Sequence, residues 1–226
     1  MAALTGLAVA MVGVISAAAV LNGGVGYLRS LVDVPSEILA IIIVLLLGAA
    51  AIIGVLESLA FAAVLTLIEV VGLFIVVGAG LSFPADLPPE PPLAMSGLAA
   101  GALLAFFAFI GFEDMVNMAE ETRDPERTMP RAIIAAMALT TLIYILVAWA
   151  AVRAVPSQTL AGSGRPLALV FETATGRNAG FLAAIAVAAA LNGVLAQIVM
   201  ASRVLYGLGR FAPVFAIFHH THPRFG

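Results

Sequence analysis

The sequence predicts an all-α integral membrane protein with six transmembrane helices. Of its 226 residues, 63% are hydrophobic and only 10% are charged, and the mean hydropathy is +1.15. A soluble domain carries charge on about a quarter of its residues, so this composition excludes an ordinary soluble protein. The apolar residues run continuously and do not alternate as in a membrane β-strand. Helices that satisfy their own backbone hydrogen bonds are therefore predicted.

Charged residues and one proline-rich loop delimit the predicted spans, each of which needs about 20 mostly apolar residues. Residues 1–28 and 38–56 carry no charge, and the segment 84–92 holds five prolines, which exclude a helix there. Thr128 followed by Pro130 predicts the start of the fifth helix. The six predicted spans are about residues 3–28, 36–55, 57–81, 95–120, 130–152 and 179–208.

Several classes of chemistry are excluded by what the chain lacks. There is no cysteine, which excludes cysteine chemistry. The ten basic residues, all arginine, are outnumbered by thirteen acidic ones, so no nucleic-acid partner is expected. His219, His220 and His222 lie close together without a nearby carboxylate, which does not favour a metal site. No metal, no cofactor and no catalytic residue is predicted, and the protein is not expected to be an enzyme.

Glu69 lies near the middle of the third predicted span. A charge at the bilayer centre costs at least about 2.5–3.5 kcal/mol, so this carboxyl has to be protonated, paired or hydrated. Two interpretations stay open. Glu69 is either a proton-coupling or ion-pairing group, or a permanently neutral acid that hydrogen-bonds to a neighbouring helix.

Gly111 stands among aromatic residues just before Glu113 and Asp114. Glycine lowers helix stability by about 1 kcal/mol relative to alanine, so the fourth span is easily interrupted here. An interruption frees backbone groups that can bind a charged substrate when they face a cavity. The alternative is a kinked but continuous helix whose carboxylates reach toward the interface.

Residues 106–132 read FFAFIGFEDMVNMAEETRDPERTMPRA. This segment resembles the hallmark segment of the amino acid–polyamine–organocation (APC) permeases, approximately F-x-F-x-G-F-E, then A-E-E and N/D-P-x-R-x-x-P-R. Weaker resemblances lie at residues 54–69 and 201–226. Together they match the whole chain to helices three to eight of the twelve-helix APC/LeuT-like inverted-repeat fold. The resemblance implies a fragment that lacks the remaining helices of the same fold.

The resemblance also implies a broken helix near Gly111 and assigns roles around it. Phe107 takes the position of an aromatic gate over the substrate, and the backbone of Ile110 and Gly111 faces the substrate's ammonium or polar groups. Glu113 and Glu69 are the implied coupling or gating residues, although some proton-coupled members carry a lysine at the position of Glu69. The substrate-binding residues implied in this way are Phe107, Ala108, Ile110, Gly111 and Phe112.

The implied function is secondary active transport of amino acids or related amines across the cytoplasmic membrane by alternating access, with proton symport or exchange. The alternative is a non-transporting membrane scaffold or subunit that packs with a partner. Membrane lipid, the amine substrate and protons are the expected partners. Six arginines on one side of the predicted spans against four on the other favour cytoplasmic placement of residues 121–131 and of both termini.

Overall fold

The structure is a computed structural model that describes residues 2–53, 59–84, 95–111, 122–211 and 213–219, and within these ranges it contains helices and no strands. A 3-10 helix, Pro213–His219, follows the last α-helix. The α-helices in chain order are α1 (Ala2–Leu28), α2 (Ser36–Ile53), α3 (Leu59–Ser82), α4 (Met95–Ala108), α5 (Pro125–Ala154), α6 (Ser157–Ala161), α7 (Pro166–Thr175) and α8 (Gly180–Phe211).

The helices confirm an all-α membrane protein but not the predicted number of spans. α1, α3, α5 and α8 are long and apolar enough to cross a membrane, whereas α2 and α4 are apolar but shorter. The chain divides into two compact units. The first unit holds the described residues up to Gly72 and those from Asn178 onward, and the second holds those from Leu73 to Arg177.

In the first unit, α1 packs against α8 along most of its length, and the two helices run antiparallel. Close approach of small residues is the main attraction between helices in lipid. A β-carbon placed on Gly24 would lie 2.5 Å from Cβ of Ala190, so only glycine fits there. The positions that mark this contact are Gly6 against Leu208, Gly13 against Ala201, Gly193 against Val20, and Gly24 against Ala190.

In the same unit, α2 packs on α1 and α8, and α3 packs on α8. Leu39 and Ile43 of α2 join Leu21, Val25 and Val194 in one buried apolar cluster. α3 contacts α8 where a β-carbon on its Gly72 would lie 3.3 Å from Ile185. α8 is therefore the central helix of this unit, because α1, α2 and α3 all contact it.

In the second unit, the C-terminal part of α3 lies against α5. Gly80 approaches so closely that an added β-carbon would lie 2.6 Å from the carbonyl oxygen of Ala150, a fully buried residue. One turn further along α5, Nη2 of Arg153 donates a hydrogen bond of 3.3 Å to the carbonyl oxygen of Phe83. An arginine at this position complements the partial negative charge at the C-terminal end of α3.

The short helices α6 and α7 follow α5 and were not predicted from the sequence. α7 starts with Pro166 at its first position and ends at Thr175, and the C-cap residue Gly176 has a φ of 66°. An ion pair of 3.0 Å joins Arg165, just before α7, to Glu172 within it. These are ordinary helix boundaries, but the segment is too polar to be recognised as a span.

The predicted start of α5 at Thr128 and Pro130 was wrong. The helix begins at Pro125 with Asp124 as N-cap, and Pro130 lies inside it. The Thr128 hydroxyl does not cap a helix start but donates a hydrogen bond of 3.0 Å to the carbonyl oxygen of Arg123. Pro125 suits the first helical position because its fixed φ matches the helix and its missing N–H is not needed there.

Candidate functional site

Helix α4 ends at Ala108, in the middle of the span predicted over 95–120. A turn follows, in which the N–H groups of Phe109 and Ile110 donate hydrogen bonds of 3.1 Å to the carbonyl oxygens of Phe106 and Phe107. These bonds reach back three residues and not four, so the α-helical pattern has stopped. Gly111 then adopts a φ of 119°, which residues with a β-carbon rarely reach.

The length of α4 indicates where this end lies in the bilayer. A helix rises about 1.5 Å per residue, so the 14 residues of α4 reach about 21 Å. The hydrocarbon core is about 30 Å thick, and a helix that starts at one interface with Met95 would therefore end inside it. Carbonyl groups at such an end need partners supplied by the protein or by a ligand.

The carbonyl oxygen of Ala108 finds its partner on α5. The hydroxyl of Tyr144 donates a hydrogen bond of 3.0 Å to it, across 36 residues of sequence. The Tyr144 ring also lies against the ring of Phe109, with centroids 5.4 Å apart and planes tilted by 59°. One side chain thus contacts both the last residue of α4 and the first residue of the turn.

The aromatic residues at the end of α4 differ in exposure. Phe106 is 68% exposed, whereas Phe107 is half-buried and is the one residue of α4 that is not exposed. The predicted site residues Phe107, Ala108, Ile110 and Gly111 lie together here. Phe112 and Glu113 fall outside the described residues, as does the second half of the predicted broken helix.

Glu69 lies on α3 within the first unit and faces α8. The side-chain amide of Asn192 lies near its carboxyl group. Its Oε1 atom is buried without a partner among the described residues, and no ion pair involves Glu69 in that part of the chain.

Sequence reasoning found the end of α4 but missed Tyr144. In the sequence, Tyr144 is one aromatic residue within an apolar run, and nothing local connects it to Ala108. Asn192 lies on α8, so its proximity to Glu69 places a polar pair between α3 and α8.

A family model described as "Amino acid permease" matches residues 1–226. The chain belongs to the amino acid permease family. This membership confirms the resemblance to the APC permeases that the segment 106–132 indicated. With this membership and its long apolar helices, the protein is a multi-pass membrane protein.

Three relatives of this permease are known transporters. The methylthioribose transporter of Bacillus subtilis is 32% identical over 82% of this chain and 41% of its own length. The branched-chain amino acid permease BcaP of the same organism is 33% identical over 70% of this chain and 34% of its own. The chloroplastic cationic amino acid transporter 9 of Arabidopsis thaliana is 34% identical over 83% of this chain and 33% of its own.

These matches cover only part of each relative: the chain spans about two fifths or less of the curated relatives it matches. Their names are those of permeases and transporters, which agrees with the prediction that the protein is not an enzyme. The names differ in substrate. Two refer to amino acids and one to a sugar thioether, so substrate class has to be argued from the site.

Proposed function

We propose that this permease takes part in secondary active transport of amino acids or related amines across the cytoplasmic membrane by alternating access. The observation that carries the proposal is the end of α4 at Ala108, followed by the positive φ of Gly111. A helix C-terminus carries a partial charge of about −0.5, which favours an ammonium group. Phe107, Ala108, Ile110, Gly111 and Phe112 are the proposed substrate-binding residues.

Amino acids, and not a methylthioribose-like sugar, are the proposed substrates because the partial charge at the end of α4 is negative. A neutral sugar gains little from the partial negative charge at a helix C-terminus, whereas an ammonium ion gains directly. Two of the three relatives described above are named for amino acids. Phe107, half-buried at the end of α4, would close over the bound substrate.

Coupling to protons is proposed to involve Glu113 and Glu69, with exchange as the alternative mode. Glu69 supports this proposal through its buried, partly unsatisfied carboxyl, which has the Asn192 amide and no ion-pair partner among the described residues. A carboxyl that is neutral in one transport state and ionised in another would carry a proton across. Cytoplasmic placement of both termini, following the arginine distribution, belongs to the same proposal.

The test measures binding and uptake separately in the reconstituted protein. Labelled leucine, lysine and methylthioribose are offered to liposomes containing the protein and to empty liposomes, and thermal stabilisation by the same compounds is measured in detergent. Stabilisation and uptake by leucine or lysine, weakened by Phe107→Ala, are expected. Stabilisation without uptake would favour the non-transporting scaffold. Preference for methylthioribose, or no binding at all, would contradict the proposal.

A further inference from the structure

We infer that Tyr144 is a further residue of the amine site, and that its hydroxyl oxygen accepts a hydrogen bond from the substrate's ammonium group. The inference rests on the proposed function, because it requires an amine bound at the end of α4. It adds a residue from α5 to a site otherwise built from the end of α4 and the turn that follows.

The direction of the hydrogen bond between Tyr144 and Ala108 determines what else the hydroxyl can bind. A phenol has one proton to donate and lone pairs that accept. The proton of Tyr144 is directed to the carbonyl oxygen of Ala108 at 3.0 Å, so any further partner of the hydroxyl has to be a donor. An ammonium group has donors only, and a carboxylate has acceptors only.

The hydroxyl therefore discriminates between the two ends of an amino acid. It accepts from the ammonium group and cannot donate to the carboxylate without leaving Ala108. Donation to a carbonyl also polarises the phenol, which makes its oxygen a stronger acceptor. The partial negative charge at the end of α4 acts in the same direction at the same place.

The position of the Tyr144 ring is set by a second contact. Its ring packs against Phe109 with centroids 5.4 Å apart, which fixes the ring beside the turn independently of the hydroxyl. The side chain stays 38% exposed, so it is not enclosed by the described part of the protein. The substitution Tyr144→Phe removes the hydroxyl but keeps the ring that contacts Phe109.

The experiment compares leucine with 4-methylpentanoate, which has the same carbon skeleton without the amine. The dissociation constants of both compounds are measured for the wild type and for Tyr144→Phe by competition against labelled leucine. A hydrogen bond to a charged group is worth about tenfold in affinity. We expect Tyr144→Phe to raise the dissociation constant of leucine by about that factor and to change that of 4-methylpentanoate by no more than about twofold.

A control variant separates recognition from structure. Tyr206→Phe removes the same atom from α8 and should not change the leucine preference. Equal weakening of both compounds by Tyr144→Phe would overturn the inference.

The wild type distinguishes failure of the inference from failure of the proposed function. A wild type that does not prefer leucine over 4-methylpentanoate has no amine site, and both the proposed function and the inference about Tyr144 are then wrong. A wild type with that preference, unchanged in Tyr144→Phe, contradicts only the role of Tyr144.

Discussion

The hydroxyl of Tyr144 on α5 donates a 3.0 Å hydrogen bond to the carbonyl oxygen of Ala108, the last residue of α4. This bond gives a partner to a helix end that would otherwise expose a bare carbonyl inside the bilayer. The carbonyl oxygens of Phe106 and Phe107 accept from the N–H groups of the turn. The end of α4 is therefore partly satisfied by the protein itself, which makes a helix end at Ala108 compatible with a lipid environment.

The positive φ at position 111 favours glycine over any other residue. No described atom lies within 4 Å of an added β-carbon, so only the backbone conformation, φ 119°, opposes a side chain. We expect Gly111→Ala to destabilise the protein by about 1–3 kcal/mol through backbone strain. The measurement is thermal unfolding in detergent, with Gly101→Ala as control.

Gly101 lies within α4 and also has open space around its Cα. Gly101→Ala is expected to be neutral or to stabilise by up to about 1 kcal/mol, because alanine favours the helix. Equal melting temperatures for the two variants would show that the turn at Gly111 is not maintained in the membrane protein.

The contact between α1 and α8 depends on Gly24 but not on its neighbour Gly23. A β-carbon on Gly24 would lie 2.5 Å from Cβ of Ala190, whereas none of the described atoms lies within 4 Å of one on Gly23. We expect Gly24→Ala to cost about 1–3 kcal/mol of unfolding free energy through overpacking. Gly23→Ala should not lower the free energy of unfolding. An equal decrease in both variants would contradict the contact between α1 and α8.

A second pair of glycines tests the packing of α3 on α5. At Gly80, an added β-carbon would lie 2.6 Å from the Ala150 carbonyl oxygen, a backbone atom that cannot rotate away, and at Gly78 it would meet no described atom. We expect Gly80→Ala to lower the melting temperature and Gly78→Ala to leave it unchanged or raise it. Reversal of this order would contradict the proximity of α3 and α5.

Glu69 and Asn192 should be energetically coupled. Glu69→Ala removes the carboxyl group, and Asn192→Ala removes the amide partner, so each single variant abolishes the interaction. A double-mutant cycle on unfolding is expected to give a coupling energy of about 0.5–3 kcal/mol. Additive effects would show that the two side chains do not interact.

A different variant, Glu69→Gln, tests proton coupling, because it preserves the volume and a hydrogen-bonding oxygen but removes the acid. If the carboxyl gains and loses a proton during transport, leucine uptake by Glu69→Gln should lose its dependence on pH between about pH 5 and pH 8. We expect a smaller loss of uptake than for Glu113→Gln. A wild-type pH profile in Glu69→Gln would leave this residue with a structural role only.

Much of the fold could be predicted from the sequence because charges and prolines mark where apolar helices stop. The bounds of α1, α2 and α8 were predicted to within a few residues on this basis. The start of α5 was misplaced because two prolines, Pro125 and Pro130, both resemble helix starts, and only the backbone shows which one is at the first position. The short helices α6 and α7 lack the length and apolar character on which span prediction rests.

The candidate site was predictable only in its local part. The low helix preference of Gly111 and the surrounding aromatic run predicted that the helix would be interrupted near this residue, and α4 ends three residues earlier, at Ala108. Tyr144 could not be found in this way, because its bond to Ala108 depends on how α5 lies against the end of α4. Likewise, the sequence shows each glycine, but only the packing distinguishes Gly24 from Gly23.

The central claim is that α4 ends at Ala108 and that this end binds an amine. The most direct test is the ¹³C carbonyl chemical shift of residues 106–111, recorded in lipid bilayers with and without leucine. We predict helical shifts that stop after Ala108, and changes at Ala108 to Gly111 on addition of leucine but not of 4-methylpentanoate. Helical shifts continuing through Gly111, unaffected by leucine, would contradict the account.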